Sequence, residues 1–275
     1  MSDAGRASGT GLRRPPPRRP PPLAAVILLL VVVIAVVAVL RRSGSPTDVA
    51  ASATGETRTA AIQGTPGTAG DRPPACRFGD REAPNDAYED WRTTMLDTTY
   101  RLPRSYVPPD LVSVQRAGFP GDATTRSFVI SDLRALREAA ERAGNPIGII
   151  WGYRSYTTQE SVFLRSAAVN GSHHALRKAA RPGHSEHQLG TAFDFKTEGA
   201  ADVDRTWESE PAGRWMTENA WRYGFVMSYP RGREDETCYG YEPWHYRYFG
   251  RPLAAEIHAS GETTREYLWI HRTGA

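Results

Sequence analysis

The longest unbroken apolar run, Leu23 to Leu40, holds eighteen residues without a charge. That is about the length a helix needs to cross the hydrocarbon core of a bilayer, and the run lacks the polar face that a helix on a soluble core keeps. Downstream, the pattern becomes short and mixed. Asp132 to Ala143 puts Leu133, Leu136, Ala139 and Ala140 at helical spacing, with Asp132 in the first turn where the helix dipole favours an acid. Gly144-Asn145-Pro146 ends that helix. Ile147 to Trp151 predicts a short buried strand, after which Thr157 or Thr158 can cap a second helix running to about Val169. Gly213 to Tyr223 carries an apolar stripe of Trp215, Met216, Ala220 and Tyr223, closed by Gly224, and reads as a helix packed on the core. Phe225 to Met227 predicts another strand. In Trp244 to Phe249 alternation sets His245, Arg247 and Phe249 against Trp244, Tyr246 and Tyr248, a strand pattern. The tail from Pro252 to Ala275 reads as one or two helices. Short strands interspersed with helices predict an α+β domain.

The flanks of the apolar run decide the domain organisation. Residues 1–22 carry five arginines and the run PPPRRPPP, which can neither form a helix nor bury a core. They are expected to be a disordered tail. Secretory h-regions usually run about 7 to 15 residues, so residues 23–40 favour a retained transmembrane helix, although Ala51 to Ala53 offers a small-residue cleavage pattern. Five arginines before the run against Arg41 and Arg42 after it orient the N-terminus to the cytoplasm. Residues 41–75 contain only Val49 and Ile62 as larger aliphatics and no aromatic residue, too little to offset ordering entropy. A disordered linker is expected there, followed by an extracytoplasmic domain over residues 76–275, where Trp91, Leu96, Tyr100 and Leu102 bring core-forming side chains.

Charge changes this picture little. The formal net charge is +3, and no concentrated basic face stands out beyond the N-terminal tail, so nucleic-acid binding is not expected. Almost all basic residues are arginine; Lys178 and Lys196 are the only lysines. The two cysteines, Cys76 and Cys238, can pair if the domain is exported.

The candidate chemistry lies in Arg181 to Lys196, RPGHSEHQLGTAFDFK, and in a later segment, EPWHYRYFG. His187 and Asp194 are seven residues apart, so they would face opposite sides of one uninterrupted strand. For both to serve one centre the segment must bend, and Gly190 is the natural place. Beyond it Gly190, Ala192 and Asp194 share one face, and Thr191, Phe193 and Phe195 the other. Glu242 and His245 can reach one centre only if the chain is irregular between them, which Pro243 permits. Two imidazoles (His187 and His245) and one carboxylate (Asp194) leave a tetrahedral zinc ion one open position for water, the catalytic type of site. Glu242 is placed to work on that water as a general base, and Arg154 to stabilise a developing oxyanion. His173, His174, His184, His258 and His271 read as surface or satisfied core histidines.

Taken together, GYRSYTTQ, RPGHSEHQLGTAFDF, NAWRYGFVMSYP and EPWHYRYFG resemble the VanY-type D-alanyl-D-alanine carboxypeptidases, zinc peptidases of the LAS group that trim peptidoglycan stem peptides. The resemblance runs from about Tyr100 to Gly250. It implies a small antiparallel sheet carrying the zinc site and flanked by helices, with His187, Asp194 and His245 as ligands of zinc. By the same resemblance Glu242 is the general base, Arg154 the carbonyl-polarising arginine, and Ser185 and Gln159 bind the substrate peptide. The implied activity is removal of a terminal D-Ala. L,D-cleavage of tetrapeptide stems and a catalytically silent domain that binds wall peptides are the alternatives. Cys238 departs from the pattern, where a glycine is more usual, and fits a disulfide to Cys76. A membrane tether agrees with a substrate in the cell wall.

Overall fold

A computed structural model describes residues 72–271. The predicted cytoplasmic tail, the transmembrane helix over residues 23–40 and nearly all of the linker lie outside the described residues. Among the described residues no helix is long and apolar enough to cross a membrane.

Four strands form the central antiparallel sheet, in the order β5-β6-β8-β7: β5 (Ile147–Trp151), β6 (Ala192–Thr197), β8 (His245–Tyr248) and β7 (Phe225–Met227). Two smaller pairs accompany it. The parallel pair β1 (Arg81–Glu82) and β2 (Tyr100–Arg101) and the antiparallel pair β3 (Leu111–Ser113) and β4 (Thr124–Arg126) were not legible as strands, being only two or three residues long. The helices are α1 (Ile130–Arg142), α2 (Tyr156–Asn170), α3 (Ser172–Lys178), α4 (Pro211–Asn219), α5 (Glu234–Thr237), α6 (Arg251–Ser260) and α7 (Thr264–His271).

The two faces of the central sheet have different jobs. Phe193, Phe195, Phe225, Tyr246 and Tyr248 are buried on one side with Leu133 and Leu136 of α1 and Met216 of α4. Phe195 meets Phe225 and Tyr246 edge-on, at ring centroid separations of 6.1 and 5.9 Å, a preferred aromatic arrangement. Ala192, Asp194, His245 and Arg247 share the other face, with Ala192 opposite Arg247 and Asp194 opposite His245. The predicted alternation in β6 and β8 therefore holds.

Three local expectations change. The cap of α2 is Ser155, whose hydroxyl accepts from the Thr158 amide at 3.1 Å, rather than either threonine. The predicted helix over Gly213 to Tyr223 is the end of α4 followed by a tighter 3-10 turn, Ala220–Tyr223, before Gly224. His187 sits in a 3-10 turn, Glu186–Leu189, rather than in an open loop.

The cysteines do form a disulfide, Cys76 to Cys238, with Cα atoms 5.3 Å apart. Cys238 has φ of 71°, the one positive value at a non-glycine position among the described residues. That conformation favours glycine, which explains why glycine is the residue the resemblance leads one to expect there.

Candidate metal centre

Two bends bring the site together. Gly190 takes φ of 75° at the end of the His187 turn, and its carbonyl accepts from the Thr125 hydroxyl at 2.8 Å and the Arg126 amide at 3.0 Å. A side chain at Gly190 would also crowd Arg126 and Leu111 at 3.2 Å. The second bend is a turn from Glu242 to His245, closed by the His245 amide donating to the Glu242 carbonyl at 3.1 Å, with Pro243 at the position where proline is favoured. The irregularity expected at both places is present.

A third strand-end segment fixes the histidine. His187 Nδ1 donates to the Gly152 carbonyl at 2.8 Å, and the Arg154 amide donates back to the His187 carbonyl at 3.1 Å. Gly152 runs so close to Thr124 that a Cβ would lie 2.4 Å from its carbonyl oxygen. This tight packing sets the orientation of the imidazole through backbone alone.

With Nδ1 holding the proton, His187 Nε2 presents a lone pair. It lies 3.2 Å from Asp194 Oδ2, is buried, and makes no hydrogen bond. On the other oxygen, His245 Nδ1 lies 3.0 Å from Asp194 Oδ1, while its Nε2 is 3.0 Å from Glu186 Oε2. The donor atoms of His187, Asp194 and His245 all fall within 4.8 Å of one another. Bonds of about 2.0 Å at tetrahedral angles put ligand atoms about 3.3 Å apart, close to both measured edges. A lone pair aimed at a carboxylate is repulsive unless a cation lies between them. The arrangement therefore fits a metal ion, and nitrogen and oxygen donors of this kind suit zinc.

Burial is the main force on these groups. It lowers His187 to about 4, keeping the imidazole neutral as a ligand must be. In His245 burial also lowers the pKa, but hydrogen bonds to Asp194 and Glu186 outweigh it and raise the value to about 10 in the metal-free chain. Asp194 is held well below the usual carboxylate range: burial would raise it, and the two histidines more than compensate. Burial pushes Glu242 up to about 7, with Asp194 adding to the rise and His245 and Arg154 opposing it.

These side chains line a cavity of about 210 Å³ that also takes in Arg154, Gln159, Ser185, Lys178, Tyr229 and Tyr239. Every residue predicted for the site is thus in one place. Burial lowers the Arg154 pKa while the fields of Asp194 and Glu242 oppose the loss of its charge, and its Nε has no partner. Gln159 donates to the Ala180 carbonyl at 2.6 Å, leaving Oε1 buried without a partner. The Ser185 hydroxyl accepts from the His187 amide at 3.4 Å, so it also shapes the turn. His184 is buried away from the cavity, against the Asp97 carbonyl and Asp80.

Sequence reasoning missed Glu186. Its carboxylate accepts from His245 Nε2, from Arg247 at 3.0 Å and from the Ser228 hydroxyl at 2.6 Å, all buried. It fixes which nitrogen of His245 faces the centre, the role an outer carboxylate plays for a metal-bound histidine. The available signal was Arg247: the strand alternation placed it on the same face as His245, and a buried arginine needs a carboxylate. Arg247 also donates to the Trp91 and Thr94 carbonyls at 2.6 and 2.8 Å.

Residues 123–251 match the family model described as VanY, D-alanyl-D-alanine carboxypeptidase. A D-alanyl-D-alanine carboxypeptidase of Enterococcus faecalis is 34% identical over 145 residues, 50% of this chain and 52% of that protein. The chain spans between a third and two thirds of the length of the curated relatives it matches. Among solved structures, the LdcB LD-carboxypeptidase is similar with a TM-score of 0.57 and 32% identity, over 64% of this chain and 86% of that one. The D,D-pentapeptidase VanY of a VanB-type resistance cassette, solved in complex with Zn(II), is similar with a TM-score of 0.56 and 28% identity, over 65% of this chain and 99% of that one.

Proposed function

The chain belongs to the VanY D-alanyl-D-alanine carboxypeptidase family, and on that premise we propose that it is a zinc-dependent D,D-carboxypeptidase that hydrolyses the terminal D-Ala from peptidoglycan stem peptides. The observation that carries the reading is Glu242, held near neutrality by burial in the same cavity as three converging ligands. A silent binding domain has no need of such a base.

Zinc held by His187, Asp194 and His245 would polarise the scissile carbonyl and acidify a water. Glu242 takes the proton of the attacking water and delivers it to the leaving amine; a pKa near the working pH suits both transfers. Arg154, with an unpartnered Nε, stabilises the charge that develops on the carbonyl oxygen. Ser185 and Gln159, the latter with a free acceptor, position the peptide in the cavity.

L,D-cleavage of tetrapeptide stems is the second reading, favoured by the likeness to LdcB and to the DacB of Streptococcus pneumoniae, described as an L,D-carboxypeptidase. In cellular terms, residues 23–40 anchor the chain with its N-terminus in the cytoplasm, and residues 76–275 work outside the membrane on the wall.

Incubating the purified chain with defined pentapeptide and tetrapeptide stems, with and without chelator, tests the proposal. Release of D-Ala from the pentapeptide, abolished by chelator and restored by zinc, is the expected result. Release from tetrapeptide alone selects the L,D reading, and chelator-insensitive release sinks the zinc mechanism.

A further inference from the structure

A second cavity, of about 180 Å³, lies against the same metal ligand and is lined by Ile150, Trp151, Asp194, Asp202, Val203 and Trp244. Asp194 and Trp244 line both cavities, so the two meet at the centre. The sheet register explains the placement. Trp151 of β5 pairs with Asp194 of β6, which pairs with His245 of β8, so one row across three strands runs from an indole to two ligands. The register shifts between Ile149 and Trp151, just before that row. Trp151 is 37% exposed, a large indole left in water at the edge of a site, with the Arg154 guanidinium 5.3 Å from its ring centre.

The two cavities differ in charge. Arg154 and Lys178 line the first, and the Lys178 ammonium has only the Asn170 amide oxygen as a partner, at 3.2 Å. The second carries Asp202, which is exposed, has no cationic partner among the described residues, and accepts only from the Val203 amide at 2.9 Å. A carboxypeptidase substrate is polarised in the same sense. Its leaving residue ends in a carboxylate, and upstream of the scissile bond a wall peptide bears the side-chain amine through which cross-links form. Indole faces and an unpaired carboxylate attract an ammonium group.

We infer that the groove of Trp151, Trp244 and Asp202 is the subsite for the stem residue bearing that amine, and that it selects a free ammonium over a neutral side chain. The inference rests on the proposed peptidase reading and on the pentapeptide register, in which the amine-bearing residue lies two positions upstream of the bond cut. The first cavity then receives the residue that leaves.

The test separates binding from turnover. The full chain carrying Glu242→Gln and loaded with zinc is titrated calorimetrically with Nα-acetyl-Lys-D-Ala-D-Ala and with its Nα,Nε-diacetyl counterpart. The free-amine peptide should bind about five- to tenfold more tightly, the scale of one exposed cation–π contact plus one exposed ion pair. Adding Asp202→Asn should bring the ratio close to one, and Trp151→Ala should weaken the free-amine peptide more than the diacetyl one. Equal affinities for the two peptides, or a ratio that survives Asp202→Asn, overturn the subsite. D-Ala release by the unaltered chain is scored separately: its absence sinks the peptidase reading, whereas release with equal affinities sinks only this inference.

Discussion

His184 and His187 stand three residues apart on one segment, both buried, both donating Nδ1–H to a carbonyl and both turning Nε2 towards a carboxylate. Their surroundings separate them. Asp80, opposite His184, is largely exposed and receives the Arg181 guanidinium at 3.0 Å, so the chain itself supplies the cation that satisfies the carboxylate. Asp194, opposite His187, is shared with a second imidazole, and no arginine or lysine forms an ion pair with it among the described residues. In the metal-free chain its counterion is the His245 imidazolium, held charged by Asp194 and Glu186, and a metal ion takes the place of that proton. A buried histidine is therefore informative about metal binding when its free nitrogen converges with others on a carboxylate whose ion-pair partners are imidazoles rather than an arginine, and burial alone is not.

The strongest test of that contrast exchanges the histidines. His187→Ala should abolish zinc retention and reduce D-Ala release to background, while His184→Ala should keep one zinc per chain and lose about 1–3 kcal/mol of stability for its hydrogen bonds. Metal analysis and thermal unfolding on the same samples read both; loss of zinc from His184→Ala breaks the comparison.

Next in size is Glu242→Gln. General-base catalysis accounts for about 10²–10⁴-fold in rate, so turnover should fall by that factor with zinc content unchanged. The same variant has a stability signature of definite sign. Folding raises the Glu242 pKa from 4.5 to about 7, so between those values the folded chain holds more protons than the unfolded one, and stability falls as pH rises through that window. At pH 8 the metal-free Glu242→Gln chain should be more stable than the parent by on the order of 3 kcal/mol, and at pH 4 the two should be nearly equal. Denaturant titration at the two pH values is the measurement.

Glu186→Gln should act through His245. Weakening an outer carboxylate costs about 10–100-fold in metal affinity, readable by competition with a chelator, and excess zinc should recover activity. An unchanged affinity would show that Arg247 and Ser228, rather than His245, are what Glu186 serves.

The smallest effect on turnover belongs to the His184 end. Cys76 ties the segment that carries Asp80 to Cys238, closing a loop of 162 residues in sequence separation. Replacing both cysteines by serine should remove up to about 5 kcal/mol of stability, with zinc affinity and low-temperature turnover retained. If zinc affinity falls with stability, the two ends are coupled and the contrast between them is weaker than the geometry implies.

Much of the site was legible before any coordinates, for a physical reason. Metal chemistry restricts which residue types can serve, and parity along a strand restricts which of them can share a face. These restrictions, with the bends at Gly190 and Pro243, made His187, Asp194, Glu242 and His245 candidates, and the resemblance of four ordered segments to the VanY-type carboxypeptidases selected them. Glu186 was not legible because its role is set by a partner 59 residues away, His245, and nothing in the local pattern around it states that pairing. The strand pairs β1–β2 and β3–β4 escaped for a related reason, since two or three residues carry no period and are strands only by virtue of their neighbours.

What the sequence determined by itself was local: helical and strand periods, the two bends, a donor set that could hold zinc with one open position, and a family likeness in four ordered segments. Tertiary structure decided everything that depends on distance between remote segments. It chose which histidine faces a carboxylate already paired with Arg181 and which turns a lone pair into the cavity. It set which nitrogen of His245 faces the centre through Glu186, raised Glu242 to about 7 by burying it, and aligned Trp151, Asp194 and His245 in one row beside two cavities that share Asp194 and Trp244. These are effects of burial and convergence, and a residue acquires neither until the chain folds around it.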